Sequence, residues 1–130
     1  MLFRSAGELV TVPVTLDLSR VSANGDLGAL QMEIRYDPAV LAFETHTAVA
    51  HGGVDVFSPA AGTVRIAFAE TTPQGSGAIT LVRLSFRVAA GAPAGARTAF
   101  TLLFTGPVTS TAFSPYPAPL TVGGRVRVVP

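Results

Sequence analysis

Apolar and polar residues alternate along most of this chain with a period of two. From Val10 to Leu18, every second residue is apolar and the residues between them are Thr, Pro or Asp. Alternation of this kind is typical of a β-strand with one buried face. No segment combines the helical period with helix-capping residues. The pattern therefore predicts an all-β chain.

Eight segments carry the strand pattern, and turn residues separate them. The predicted strands are 10–18, 29–36, 40–47, 54–58, 64–69, 79–88, 98–104 and 122–129. Eight or nine short strands with regularly spaced turns predict a two-sheet β-sandwich with jelly-roll topology. At 130 residues, the chain has the length of one domain, so we assign residues 1–130 to a single sandwich.

Three positions predict departures from regular strands. Pro13 cannot donate a hydrogen bond to a neighbouring strand, which places its strand at a sheet edge or at a bulge. Ile79 and Leu81 stand on the opposite parity to the apolar row that starts at Val82, and this indicates a bulge near Leu81. The segment 59–62 begins with Pro and ends with Gly, and is predicted to be a turn.

Composition excludes several classes of protein. Hydrophobic residues make up 48% of the chain and charged residues 13%, so the chain can bury a core and is not disordered. The chain has nine arginines, no lysine and eight acidic residues, which gives a net charge of +1. Because the arginines are scattered, no basic patch indicates a nucleic-acid or membrane partner.

Cysteine is absent, which excludes disulfides, thiolate metal sites and cysteine nucleophiles. No apolar run approaches the ~18 residues of a membrane-spanning helix. The first residues, Met1 to Ser5, lack the pattern of a signal peptide. If the protein is exported, we expect its signal to have been removed or to lie outside this sequence.

Five motifs, in one order along the chain, carry a family resemblance. They are GELVTVPV (7–14), GALQMEIRYDPAVL (28–41), VRIAFAE (64–70), AGAPAG (90–95) and GGRV (123–126). Together they resemble the opening strand, the YDP corner, the FAE strand, the GAP loop and the closing strand of cohesin domains. The corner also makes physical sense, because Asp before Pro ends a strand sharply.

The resemblance implies a function and a binding face. Cohesins are non-catalytic, extracellular or cell-surface modules, and one sheet face binds a dockerin, a small helical module that carries calcium. The cohesin-like chain itself would need no cofactor. The positions that match the family's binding face are Ala29, Gln31, Ser58, Ala67, Glu70 and Pro73. The family commonly has Asn at the position of Ala29, Asp at that of Gln31 and an aromatic residue near that of Ser58. Of these family residues, this chain keeps only Glu70.

Histidines offer only weak catalytic alternatives. His46 and His51 could form a metal pair, but no carboxylates with ligand spacing accompany them. A Ser-His-Asp catalytic triad could be formed by Ser58, His51 and Asp55, but no nucleophile-elbow motif supports it. We interpret both histidines as exposed or loop residues.

Glutamates offer a second catalytic alternative. Glu33, Glu44 and Glu70 could supply an acid and a base for glycoside hydrolysis. Such a pair needs a cleft with sugar-stacking rings, and the chain has no Trp and two Tyr. We interpret the three glutamates as solvated, outward strand positions, and we predict that the chain is not an enzyme.

Three functions remain open at this point. The first is capture of a dockerin-type partner. The second is a structural or assembly domain of a bacterial surface or scaffold protein, which contacts neighbouring domains or self-associates; the small outward residues favour it. The third is a carbohydrate-binding module, which would need an exposed row of rings such as Phe57, Phe113 and Tyr116. The absence of Trp argues against the third.

Overall fold

Ten β-strands make up the regular structure of the chain. The computed structural model describes residues 1–130 and contains no helix. The strands are β1 (Leu2–Ser5), β2 (Leu9–Asp17), β3 (Ala29–Arg35), β4 (Leu41–Ala48), β5 (Gly53–Ala60), β6 (Thr63–Ala69), β7 (Ala78–Val88), β8 (Arg97–Ala99), β9 (Thr101–Phe104) and β10 (Arg125–Val129). The prediction of an all-β chain is confirmed.

The strands form three hydrogen-bonded sheets around one core. One sheet has the order β5-β6-β3-β9, the second β2-β7-β4 and the third β1-β10-β8. All pairs are antiparallel except β1 with β10. The arrangement is a jelly-roll β-sandwich, as the strand pattern predicts. No helix of the length and hydropathy needed to cross a bilayer is present.

The core is one cluster of 25 buried residues drawn from all three sheets. Its centre is the fully buried ring of Phe86 on β7. The Phe86 ring meets Tyr36 edge-on at a centroid distance of 5.0 Å, Phe100 at 5.2 Å and Phe43 at 5.7 Å. Tyr36 follows β3, so these ring contacts connect the two layers of the sandwich. The alternating apolar residues of β2, β3, β6 and β7 point into this core, as predicted.

The predicted bulge lies at Leu81. Val14 is paired with Val82 and Thr15 with Thr80, so Leu81 has no partner on β2. The extra residue allows Leu81 and Val82, which are adjacent in sequence, both to be buried. β2 is an edge strand of its sheet, which explains why Pro13 is tolerated there.

The predicted strand 98–104 is two strands in different sheets. The chain leaves β8 and enters β9 at Phe100, whose backbone N–H donates to the Gly124 carbonyl at 2.9 Å while its ring enters the core. The closing strand begins at Arg125 and not at Val122, which is exposed. With β1, which was not predicted, these changes give ten strands in place of eight or nine.

The predicted turn 59–62 was too long. β5 continues to Ala60, and only Ala61 and Gly62 form the turn to β6. Pro59 fits inside β5 because β5 is an edge strand and its pairing with β6 shifts between Phe57 and Ala60. Gly62 has a φ of +86°, a conformation that side chains other than glycine rarely adopt.

The segment 105–124 lacks regular strands and is held by contacts to the β2–β3 connection. The Tyr116 hydroxyl donates to the Asp26 carbonyl oxygen at 2.6 Å. The Thr111 backbone N–H and hydroxyl both donate to the Asp26 carboxylate. These hydrogen bonds hold the pKa of the Asp26 carboxyl below its usual value, chiefly through the Thr111 hydroxyl.

Candidate protein-binding face

The solvent side of the β5-β6-β3-β9 sheet is the candidate binding face, called the outer face below. Its residues alternate along each strand with buried core residues. They are Asp55 and Phe57 on β5, Arg65, Ala67 and Ala69 on β6, Ala29, Gln31, Glu33 and Arg35 on β3, and Leu103 on β9. Four of the six predicted binding positions lie on this face or at its end, namely Ala29, Gln31, Ala67 and Glu70.

Small side chains make one half of the outer face flat. Gln31 lies directly opposite Ala67, and Ala29 lies opposite Ala69 on the same two strands. Asp55 on β5 is the partner of Ala67 on its other side. Because three of these residues are alanines, an elongated partner could approach the sheet backbone closely here.

Two exposed apolar side chains lie at the ends of the next row of the outer face, with Arg65 and Glu33 between them. Phe57 on β5 is 44% exposed and Leu103 on β9 is 39% exposed. A shallow depression of about 390 Å³ lies between β5 and the end of β9. Its lining residues are Gln31, Met32, Phe57, Arg65, Ile66, Ala67 and Thr105. The outer face thus combines an apolar rim with polar groups at its centre.

Glu33 pairs with two arginines at the centre of the outer face. The prediction that Glu33 is solvated was therefore wrong. Its carboxylate accepts hydrogen bonds from Arg35 Nε at 2.8 Å and from Arg65 Nε at 3.1 Å, and Arg35 Nη2 lies 2.7 Å away. The two arginines cover the carboxylate, so that Glu33 is only 6% exposed. These contacts, with that from Arg35 the stronger, hold the pKa of Glu33 below its usual value.

Glu70 also differs from a free, solvated carboxylate. Its Oε2 lies 2.7 Å from Nδ1 of His51, and its Oε1 accepts the backbone N–H groups of Thr71 at 2.7 Å and Thr72 at 3.3 Å. Its side chain is therefore mostly buried, at 15% exposure. The pKa of Glu70 is held below its usual value, first by the hydrogen bond from His51.

Pro73 joins the same cluster, whereas Ser58 does not. The Pro73 carbonyl oxygen lies 3.1 Å from Nε2 of His51. Ser58 lies near the β5–β6 turn, at the opposite end of the sheet, and its hydroxyl is within hydrogen-bond distance of the Ala60 and Thr63 carbonyls. The aromatic residue of the outer face is the neighbouring Phe57, which the parity of β5 could have indicated.

Neither the Ser58–His51–Asp55 triad nor a pair of the three glutamates is assembled in the structure. The Ser58 hydroxyl contacts main-chain carbonyls and not His51. Glu33, Glu44 and Glu70 each belong to a separate network, with Glu44 on β4 paired to an arginine of β7. No group of three or more His, Asp or Glu side chains is placed to hold a metal ion.

The rings considered for sugar binding do not form a row of free platforms. Phe57 and Phe113 are exposed. Tyr116 is half-buried, packs against the core and directs its hydroxyl to a main-chain carbonyl. The structure therefore adds no support for a carbohydrate-binding surface made of these three rings.

Comparison with known families gives one clear match. The family model of the cohesin domain matches residues 4–113, which include β2 to β9 and the whole outer face. Among curated proteins, no sequence matches the chain significantly.

Solved structures share the fold at low sequence identity. The sixth cohesin of scaffoldin B from Acetivibrio cellulolyticus, in complex with a Cel5 dockerin, superposes with a TM-score of 0.80 at 19% identity, over 98% of this chain and 93% of that one. A non-cellulosomal cohesin from the archaeon Archaeoglobus fulgidus gives 0.79 at 18% identity, over 99% and 86%. A cohesin from Clostridium acetobutylicum gives 0.77 at 20% identity, over 98% and 86%.

Proposed function

Because this chain belongs to the cohesin family, we propose that it is a non-catalytic binding module that captures a dockerin through its outer face. The observation that carries the proposal is the flat region of that face, where Gln31 lies opposite Ala67. The next row of the same face ends in the exposed side chains of Phe57 and Leu103. A helix laid across these strands would bury its apolar side chains against Phe57 and Leu103. Binding energy in such an interface is concentrated in a few central contacts.

Charge on the outer face defines the partner further. Arg35 and Arg65 each use their Nε on Glu33, which leaves guanidinium N–H groups of both side chains free to bind a partner. With Glu33 ionised, these three residues together carry one positive charge. We expect the dockerin helix to place a carboxylate or main-chain carbonyls over the two arginines.

Two solved relatives support the proposal. The Acetivibrio cellulolyticus cohesin was solved with a dockerin bound, and so was a cohesin from Clostridium thermocellum with a TM-score of 0.80 at 12% identity. In this proposal calcium would be carried by the dockerin and not by the cohesin chain, and the module would act outside the cell or at its surface.

Calorimetric titration with dockerin modules encoded in the same genome tests the proposal. Each dockerin is titrated into the domain once with calcium and once with a chelator. The proposal expects at least one dockerin to bind at one-to-one stoichiometry with calcium and to lose binding in the chelator. Absence of binding by every dockerin under both conditions would contradict it.

An assembly role is the second candidate, and one observation favours it. Ala29 and Gln31 offer fewer hydrogen bonds than the Asn and Asp common in the family, and the Glu70 carboxylate is already engaged within the domain. A module with few polar anchors on this face could instead contact neighbouring domains or a second copy of itself. Sedimentation of the isolated domain over a concentration series tests this, because self-association would raise its mean mass.

A further inference from the structure

Both ring nitrogens of His51 face oxygen atoms. His51 lies between β4 and β5, its Nδ1 is 2.7 Å from Oε2 of Glu70, and its Nε2 is 3.1 Å from the Pro73 carbonyl oxygen. The His51 backbone N–H and carbonyl also exchange hydrogen bonds with the Gln74 side-chain amide, at 3.2 and 2.7 Å. The ring thus connects the end of β6 to the loop that follows it.

The two oxygen partners of the ring are both hydrogen-bond acceptors. A main-chain carbonyl can only accept a hydrogen bond. The Glu70 carboxylate is ionised, because its other oxygen accepts the Thr71 and Thr72 N–H groups and its pKa lies below the usual range. Both oxygens are therefore acceptors, and the ring can donate to both at once only when each of its nitrogens carries a hydrogen. A neutral ring would direct a lone pair at one of the oxygens.

Local backbone geometry allows the close approach of Glu70. Gly52 follows His51 with a φ of +120°, and a Cβ atom built there would lie 2.9 Å from Oε2 of Glu70. Any larger residue at position 52 would therefore meet the carboxylate that His51 holds. The cluster is a close-packed contact in which glycine is needed for space as well as for conformation.

We propose that His51 is the positioning residue that holds Glu70 and the loop 71–74 at the end of the outer face. Without the His51 ring, both of its contacts are lost and the loop loosens. The consequence for partner binding rests on the proposed function, since Glu70 and Pro73 are two of the positions that match the family's binding face. The positioning itself is a property of the isolated domain.

The other titratable groups near this loop make no ion pair with the His51 ring. Glu70 is the charged group in ion-pair contact with the His51 ring. On the flanking strands, Glu44 is paired to an arginine, and neither His46 nor Asp55 makes an ion pair. The ion-pair contact of the cluster is therefore that between His51 and Glu70.

Nuclear magnetic resonance on the whole domain tests the proposal. Spectra are recorded at about pH 5.5 and about pH 8, on either side of the usual histidine pKa of ~6.5. The Glu70 carboxyl ¹³C shift is followed through its titration in the unchanged domain, in His51→Ala and in His51→Asn. His46→Ala is the matched control, because His46 is exposed on β4 and makes no side-chain hydrogen bond.

We expect the Glu70 pKa to rise in His51→Ala and to be unchanged in His46→Ala. His51→Asn, which keeps a donor near the position of Nδ1, should restore part of the shift. A Glu70 titration that is the same in His51→Ala and in the unchanged domain would overturn the proposal.

Titration with a dockerin distinguishes this proposal from the proposed function. The same variants are titrated with the dockerin that binds the unchanged domain, at both pH values. Failure of every dockerin to bind, with the Glu70 shift observed, would contradict the proposed function and support the positioning role. Dockerin binding to a domain in which His51→Ala leaves Glu70 unaffected would overturn the positioning role alone.

Discussion

Gln31 and Ala67 lie directly opposite each other on β3 and β6, the two middle strands of the outer face. One of the two residues is alanine, and both line the shallow depression. Any partner that docks on this face must approach this pair closely. The proposed function is therefore most sensitive to bulk at position 67.

Ala67→Arg should weaken dockerin binding about tenfold or more, because a long side chain at the centre would hold the partner away from the sheet. The matched control is Ala42→Arg, which places the same side chain at an exposed position of β4, opposite Arg87. Calorimetric titration of both variants measures the effect, and thermal unfolding checks that they are folded. Equal affinity in the two variants would count against a central contact at Ala67.

The Glu33 network should give the domain an acid-sensitive component of stability. The folded-state pKa of Glu33 is lowered from 4.5, chiefly by Arg35, so its stabilising effect is present above that value. It is lost as the pH falls through the lower folded-state pKa. Glu33→Gln removes this component and leaves two arginines without their shared partner.

Urea unfolding over a pH series measures this effect. The free energy of unfolding of the unchanged domain should fall on acidification below about pH 4.5. In Glu33→Gln the fall should be shallower, with the remainder supplied by Asp17, Asp26 and Glu70, whose pKa values are also lowered. The same slope in both proteins would show that the network does not couple to folding.

The aromatic centre of the core should dominate stability. Phe86→Ala removes a fully buried ring that contacts three other rings, and we expect a loss of about 3–5 kcal/mol in the free energy of unfolding. Phe113→Ala removes an exposed ring and should change stability by less than about 0.5 kcal/mol. Chemical denaturation of both variants compares them. A loss at Phe86 as small as that at Phe113 would contradict the assigned core.

The sequence indicated the sandwich because burial and strand period are local properties. Alternation identified the core faces of β2, β3, β6 and β7, and the parity change at Leu81 identified the bulge before any partner strand was known. The break at Phe100 could not be predicted in the same way, because it depends on a hydrogen bond to Gly124 far along the chain.

The binding face was predicted less completely, for the same physical reason. The family motifs brought Ala29, Gln31, Ala67 and Glu70 to one face or its end, and their binding role stays a prediction. Burial of Glu33 depends on an arginine from β6, and the contact of His51 with Glu70 joins residues 19 positions apart. Such contacts between side chains leave no periodic signal in the sequence.

Tyr116→Phe tests how the segment beyond the family match is held. The variant removes the hydroxyl that donates to the Asp26 carbonyl at 2.6 Å and leaves the ring in place. We expect a loss of about 0.5–1.5 kcal/mol in the free energy of unfolding. Hydrogen exchange should also become faster in the β2–β3 connection, for example at Leu27. Unchanged exchange there would show that the hydroxyl does not fix this segment.

Chemical-shift mapping tests the central claim most directly. The ¹⁵N-labelled domain is titrated with an unlabelled, calcium-loaded dockerin, and backbone amide shifts are followed to saturation. The account predicts that the perturbed residues cluster on the outer face, around Gln31, Arg65 and Ala67. Perturbations clustered on the opposite layer, around Thr11 and Arg83, or no perturbation at all with every dockerin tried, would contradict it.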